Sequence, residues 1–113
     1  MIEASCHCGA IRFAVATAPD EVTDCNCSIC RRYGTLWAYY QRPQVWFAAD
    51  CGPSDIYMWG DKDLEFHRCR TCGCITHWSS VDSSYTRMGV NARLMAPEVL
   101  SATPVRHFDG AAM

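Results

Sequence analysis

With 113 residues, half of them apolar and 19% charged, the chain reads as one modest globular domain, 1–113, and not as a disordered segment. A formal net charge of −2 provides no basic field, so neither nucleic acid nor a membrane is expected as a partner. Met1 to Ser5 lacks the basic and apolar parts of an export signal, and no apolar run nears the ~18 residues that span a bilayer; this predicts a cytoplasmic protein.

Taken in order, Ser5-Cys6-His7-Cys8-Gly9 is a tight thiol pair in a turn, followed by a half-buried strand over Ile11 to Val15. Thr17 to Asp20 is a turn. Cys25-Asn26-Cys27-Ser28-Ile29-Cys30 comes next, with Ser28 to Tyr33 able to form a short helical turn that ends at Gly34. Leu36 to Gln41 is aromatic and strand-like, Pro43 interrupts it, and Val45 to Ala48 resumes it. Ala49 to Asp55 is a loop, Ile56 to Trp59 a strand, and Gly60 to Asp63 a turn. Leu64 to Arg68 alternates and runs into Cys69-Arg70-Thr71-Cys72-Gly73-Cys74, after which Ile75 to Trp78 is extended again. Ser79 to Ser84 is a polar loop and Tyr85 to Leu94 reads as the last long strand. Pro97 to Leu100 makes one or two helical turns, with Pro97 at the first position. No periodicity near 3.6 persists beyond about two turns, so the fold is mainly β. The aromatic group Trp37, Tyr39, Tyr40, Trp46, Tyr57 and Trp59 reads mostly as core, with one or two members free to line a pocket.

Nine cysteines dominate the composition. The count is odd and no export signal accompanies it, which favours metal ligands over a disulfide framework. Cys69-x-x-Cys72-Gly73 is zinc-knuckle spacing, and Cys6-x-Cys8 is the natural source of the two remaining thiols of a closed structural site. Cys25, Cys27 and Cys30 are then left as three ligands with a fourth position open, which is the pattern of a catalytic zinc. An all-thiolate shell suits holding an incoming thiol as thiolate better than polarising water. Cys74, Cys51 or one of His7, His67 and His77 could close that position from within instead.

The blocks Cys6-His-Cys-Gly-Ala-Ile-Arg-Phe13, Cys25-Asn-Cys-Ser-Ile-Cys-Arg-Arg32 and Cys69-Arg-Thr-Cys-Gly73 resemble those of the glutathione-dependent formaldehyde-activating enzyme family, which also includes the centromere protein V-like proteins. Gly89 to Leu94 and Val105 to Gly110 resemble its C-terminal portion, so the likeness spans residues 6 to 110. It implies an Mss4-like fold, small β-sheets in a tent around zinc, with one or two short helical turns. It implies a structural zinc on Cys6, Cys8, Cys69 and Cys72, and a second, activity-linked zinc on Cys25, Cys27 and Cys30. The implied reaction joins formaldehyde to a small-molecule thiol such as glutathione, giving S-hydroxymethylglutathione, and is classed as a carbon–sulfur lyase.

Three functions follow. The first is a zinc-dependent lyase acting on a thiol adduct, with Arg31 or Arg32 steering an anionic carboxylate. The second is a zinc-stabilised, non-catalytic binding module or scaffold. The third is a redox or metal-storage protein that uses Cys51 and Cys74 as spare thiols.

Overall fold

The computed structural model describes residues 1–112, and they form a mainly β structure of two sheets. The smaller sheet has three strands, β1 (Ile2–Ser5), β2 (Arg12–Val15) and, after β3 (Val22–Cys25) and β4 (Trp37–Gln41), β5 (Val45–Phe47). The remaining strands are β6 (Ser54–Tyr57), β7 (Leu64–Cys69), β8 (Ile75–Ser80), β9 (Arg87–Asn91) and β10 (Val105–Phe108). With β3 and β4 they build a larger sheet in the order β10-β3-β4-β9-β8-β7-β6. Its pairings are antiparallel except β10 with β3, which run parallel.

Helix is confined to short pieces. Helix α1 (Ser28–Tyr33) starts where the Cys27 sulfur accepts the Cys30 N–H and stops at Gly34, whose φ of 68° few other residues adopt. Helix α2 (Pro97–Ser101) places Pro97 in its first turn. Single 3₁₀ turns cover Arg42–Gln44, Ala92–Leu94 and Gly110–Ala112.

Strand β4 is buried on both faces, and its period of two sorts its side chains. Ala38 and Tyr40 enter the main core with Phe13 and Val15 of β2, Val45 of β5 and Val90 of β9, joining the two sheets. Trp37 belongs to a second cluster on the other face, with Cys25, Cys30, Phe66 and Trp78, and Tyr39 packs against it. Gly89 makes this second cluster possible. A Cβ there would fall 2.1 Å from the Trp78 indole nitrogen, so only a residue without a side chain lets that ring lie across β9.

The structure departs from the sequence-based expectation at several points. Strand β6 begins two residues earlier than expected, inside the anticipated loop, and leaves Met58 and Trp59 outside the sheet. The stretch Tyr85 to Leu94 is not one strand: β9 stops at Asn91, whose side-chain oxygen accepts the Arg93 N–H and turns the chain into a 3₁₀ turn. A further short strand, β10, follows it and was not expected from the sequence. Trp46, Tyr57 and Trp59 are exposed and not core.

His67 and His77, neighbours across β7 and β8, stack with ring centroids 4.1 Å apart, and the Phe47 ring approaches His77 at 4.6 Å. Burial, and secondarily His67, hold the His77 pKa down to about 3 from 6.5. The unfolded chain therefore takes up a proton below pH 6.5 that the folded chain refuses until about pH 3. Stability is unaffected above that window and falls within it by up to about 1.4 kcal/mol per pH unit. Urea unfolding of wild type and His77→Gln between pH 7.5 and 5, at equal metal load, should show the variant losing less stability. Parallel pH dependences would contradict this assignment.

Candidate metal centres and an aromatic cleft

Cys6 and Cys8 flank the turn between β1 and β2; Cys69 ends β7, and Cys72 lies in the turn before β8. The backbone of both turns folds as a knuckle: Gly9 N–H donates to Cys6 O and Gly73 N–H to Cys69 O. Sulfurs then accept main-chain donors, Ile11 N–H to Cys6 Sγ at 3.3 Å and Cys72 N–H to Cys69 Sγ at 3.5 Å. The four Sγ atoms lie within 4.8 Å of one another. The Cys6–Cys8 and Cys8–Cys69 separations are 3.7 and 3.6 Å, close to the ~3.8 Å edge of a tetrahedron with the usual zinc–sulfur length. N–H groups of Cys74 and then Cys8 lower the Cys72 thiol to about 5.

Cys25, Cys27 and Cys30 form a second group, also with all sulfurs within 4.8 Å. Cys25 ends β3 and Cys30 lies in α1, so the turn that starts the helix brings the three together. Cys30 is buried, and burial pushes its thiol up to about 12. The opposing influence is the Trp37 indole N–H, which donates to Cys30 Sγ at 3.3 Å and favours the thiolate. Among the described residues no fourth thiol, imidazole or carboxylate completes this group.

The C-terminal segment clamps the same turn. Asn26 N–H donates to Phe108 O, its side-chain amide to Asp109 Oδ1 at 2.9 Å, and its side-chain oxygen accepts the Ala111 N–H at 3.0 Å. Gly110 closes the contact: a Cβ there would lie 2.7 Å from Cys25 Sγ and 3.0 Å from Cys27 Cβ.

The three-thiol group opens on a cleft of about 710 Å³. Its walls are the rings of Trp37, Tyr39, Trp59, Phe66, Trp78 and Phe108, and its rim carries Asp61 and Asp63 from the turn before β7. Strand β4 supplies Trp37 and Tyr39 from its second face, while β7, β8 and β10 supply the facing rings.

The structure thus brings together Cys6, Cys8, Cys69 and Cys72 in one place and Cys25, Cys27 and Cys30 in another. Cys74 and Cys51 pack beside the four-thiol group without entering it, and the Cys51 thiol donates to Arg12 O. His7 is exposed and joins neither group. His67 and His77 stack on each other, and their ring nitrogens meet the hydroxyls of Ser54, Ser79 and Thr76, so they join neither group. Arg31 does not line the cleft; Arg32 folds back to donate to Ser28 O and faces a neighbouring groove with Tyr57 and Trp59. That groove shares Ile29 and Trp59 with the cleft, so Arg32 stands beside the cleft and not in its wall. Sequence reasoning missed Asn26, Gly110 and the Trp37 donor. Only Trp37 carried a signal, since alternation along β4 puts it on the same face as Tyr39.

A model of the glutathione-dependent formaldehyde-activating enzyme family matches residues 1–108. The chain belongs to that family. A crystal structure of a Rhodobacter sphaeroides protein is similar with a TM-score of 0.73 and 26% identity, over 93% of this chain and 100% of that one. The formaldehyde-activating enzyme family is zinc-binding, and the two cysteine groups here can hold metal ions. The donor set fits that chemistry: sulfurs packed this closely repel once ionised, and a cation between them removes the penalty.

Gly110→Ala tests the clamp. The added methyl should displace Cys25 and weaken metal binding at the three-thiol group by about 10- to 100-fold, leaving the four-thiol group intact. Native mass spectrometry during chelator titration should show one metal lost early in the variant. Identical release from wild type and variant would refute it.

Proposed function

We propose that this chain is a zinc-dependent enzyme of the carbon–sulfur lyase type, making and breaking the bond between a small-molecule thiol and an aldehyde carbon. Cys6, Cys8, Cys69 and Cys72 would hold a structural zinc. Cys25, Cys27 and Cys30 would hold a second. The observation that carries this reading is that the three-thiol group is both incomplete and open to a cleft, whereas the four-thiol group is complete. When bound, the second zinc lowers the pKa of an incoming thiol and keeps it as a thiolate.

Everything else falls to the chain. The Trp37 N–H neutralises part of the charge on Cys30 and fixes that sulfur's direction. Trp37, Phe66 and Trp78 exclude water from one side of the thiol, which protects its adduct from hydrolysis. In the forward direction sulfur donates a pair to the carbonyl carbon, the carbonyl π pair moves to oxygen, and oxygen takes one proton from water. The reverse sequence cleaves the same carbon–sulfur bond. Cys25, Cys27 and Cys30 enter as ligands, not as nucleophiles.

A second reading, a non-catalytic zinc-stabilised module, draws on the exposed Ile56, Tyr57 and Trp59 beside the edge strand β6, which suit a partner surface.

Two-dimensional NMR exchange at equilibrium separates the two. With formaldehyde and each of several thiols, zinc-loaded wild type should speed exchange between free and S-hydroxymethyl forms of at least one thiol. Cys27→Ser should lose at least about 100-fold of that rate while the four-thiol metal stays bound. Exchange no faster with protein than without, for every thiol, would leave the module as the surviving reading.

A further inference from the structure

The cleft beside the three-thiol group has a chemical character that bears on which thiol enters it. Six aromatic rings form its walls, Ile29 and Leu64 add aliphatic surface, and Tyr39 carries the one hydroxyl among its described lining residues. The charged side chains in that lining are Asp61 and Asp63; no lysine or arginine is among them. Lys62, between the two aspartates, is not among the lining residues; its backbone has a φ of 60° and its N–H is donated to Trp59 O.

The guanidinium groups beside the cleft have partners of their own, and Arg32, in the adjoining groove, donates to Ser28 O. Arg106 lies 5.3 Å from the Phe108 ring centroid, pairs with Glu21 at 3.5 Å and donates to Thr23 Oγ1. Arg87 sits over the Tyr39 ring at 4.1 Å. Neither forms part of the wall.

Charge at the floor of the cleft has the same sign as its rim. Three thiolates around one divalent cation leave a net charge of about −1, which a bound substrate thiolate makes more negative. Two carboxylates at the mouth add to it. Glutathione brings two carboxylates and one ammonium besides its thiol, so its entry sets like charges against each other in a cleft whose own lining holds no lysine or arginine. Aromatic faces, by contrast, favour apolar bodies and cations.

We infer that the thiol taken by this cleft is an apolar, aromatic-sized molecule without net negative charge, and that Asp61 and Asp63 are specificity-determining residues that reject anionic thiols. This rests on the proposal that the three-thiol group is an open, thiol-accepting site. The aldehyde partner and the bond made are unchanged; what changes is the thiol.

Three of the four tryptophans, Trp37, Trp59 and Trp78, line the cleft, so intrinsic fluorescence reports occupancy without recourse to turnover. Zinc-loaded wild type is titrated at low ionic strength with benzyl mercaptan, glutathione and glutathione diethyl ester. The ester keeps the size and thiol of glutathione but lacks its carboxylates. Benzyl mercaptan should bind tightest, and the ester should bind about tenfold tighter than glutathione, a ratio worth about 1.4 kcal/mol. The Asp61→Asn/Asp63→Asn double variant should bring that ratio towards one, chiefly by tightening glutathione; the wild-type ranking stands as a test even without it. Glutathione binding as tightly as the ester or benzyl mercaptan overturns the inference while leaving an open thiol site. Absence of any fluorescence response to all three thiols overturns the open site and the inference together.

Discussion

Sulfur atoms from turns 61 residues apart meet at 3.6 Å, and the rest of the arrangement depends on that approach. Cys8 stands at the head of the small sheet and Cys69 at the end of β7 in the large one, so their junction ties the two sheets together at one end. At the other end the tie is apolar, the core that Ala38 and Tyr40 share with Phe13, Val15 and Val45. Strands of three to six residues bury little surface each, and a domain of this size gains stability disproportionately from a metal staple. The closed thiol cluster at the junction can hold such an ion.

A division of labour is visible in β4. One face of the strand packs the main core, and the other presents Trp37 to Cys30 and Tyr39 to the cleft. A residue that fixes the cleft is therefore anchored by neighbours that fix the fold, which keeps the wall rigid without a supporting loop. The C-terminal segment does the same for the floor. Strand β10 pairs with β3 and carries Asp109 and Gly110 directly onto the cysteine turn, where Asn26 holds them. The sulfur triangle is thus shaped from both sides, by an indole donor and by a backbone lid that tolerates no side chain.

Local features were legible in the sequence. Cys-x-Cys and Cys-x-x-Cys spacing dictates which thiols share a turn, and the turn residues Gly34 and Pro97 marked both short helices at their observed ends. Strands β1, β3 and β10 escaped notice for a physical reason. Each has only four residues, and Val105 to Phe108 is largely exposed, so no hydrophobic alternation announces it; the strand exists because β3 offers a partner 83 residues away. The cleft was illegible for a related reason. Phe66, Trp78 and Phe108 converge on Trp37 only after β7, β8 and β10 have found their places in the sheet, and nothing in their own segments records that meeting. Arg32, adjacent to the thiols in sequence, folds back on Ser28 O one helical turn earlier and does not enter the cleft wall.

A closed sulfur group and an open one differ in their first coordination shell. Zinc-edge X-ray absorption of the protein loaded with two zinc ions measures it directly. The expected mean first shell is about 3.5 sulfurs with a light-atom remainder, rising to about four when benzyl mercaptan is added. Four sulfurs at both centres before any thiol is added, with a spectrum that the thiol leaves unchanged, would contradict an open site.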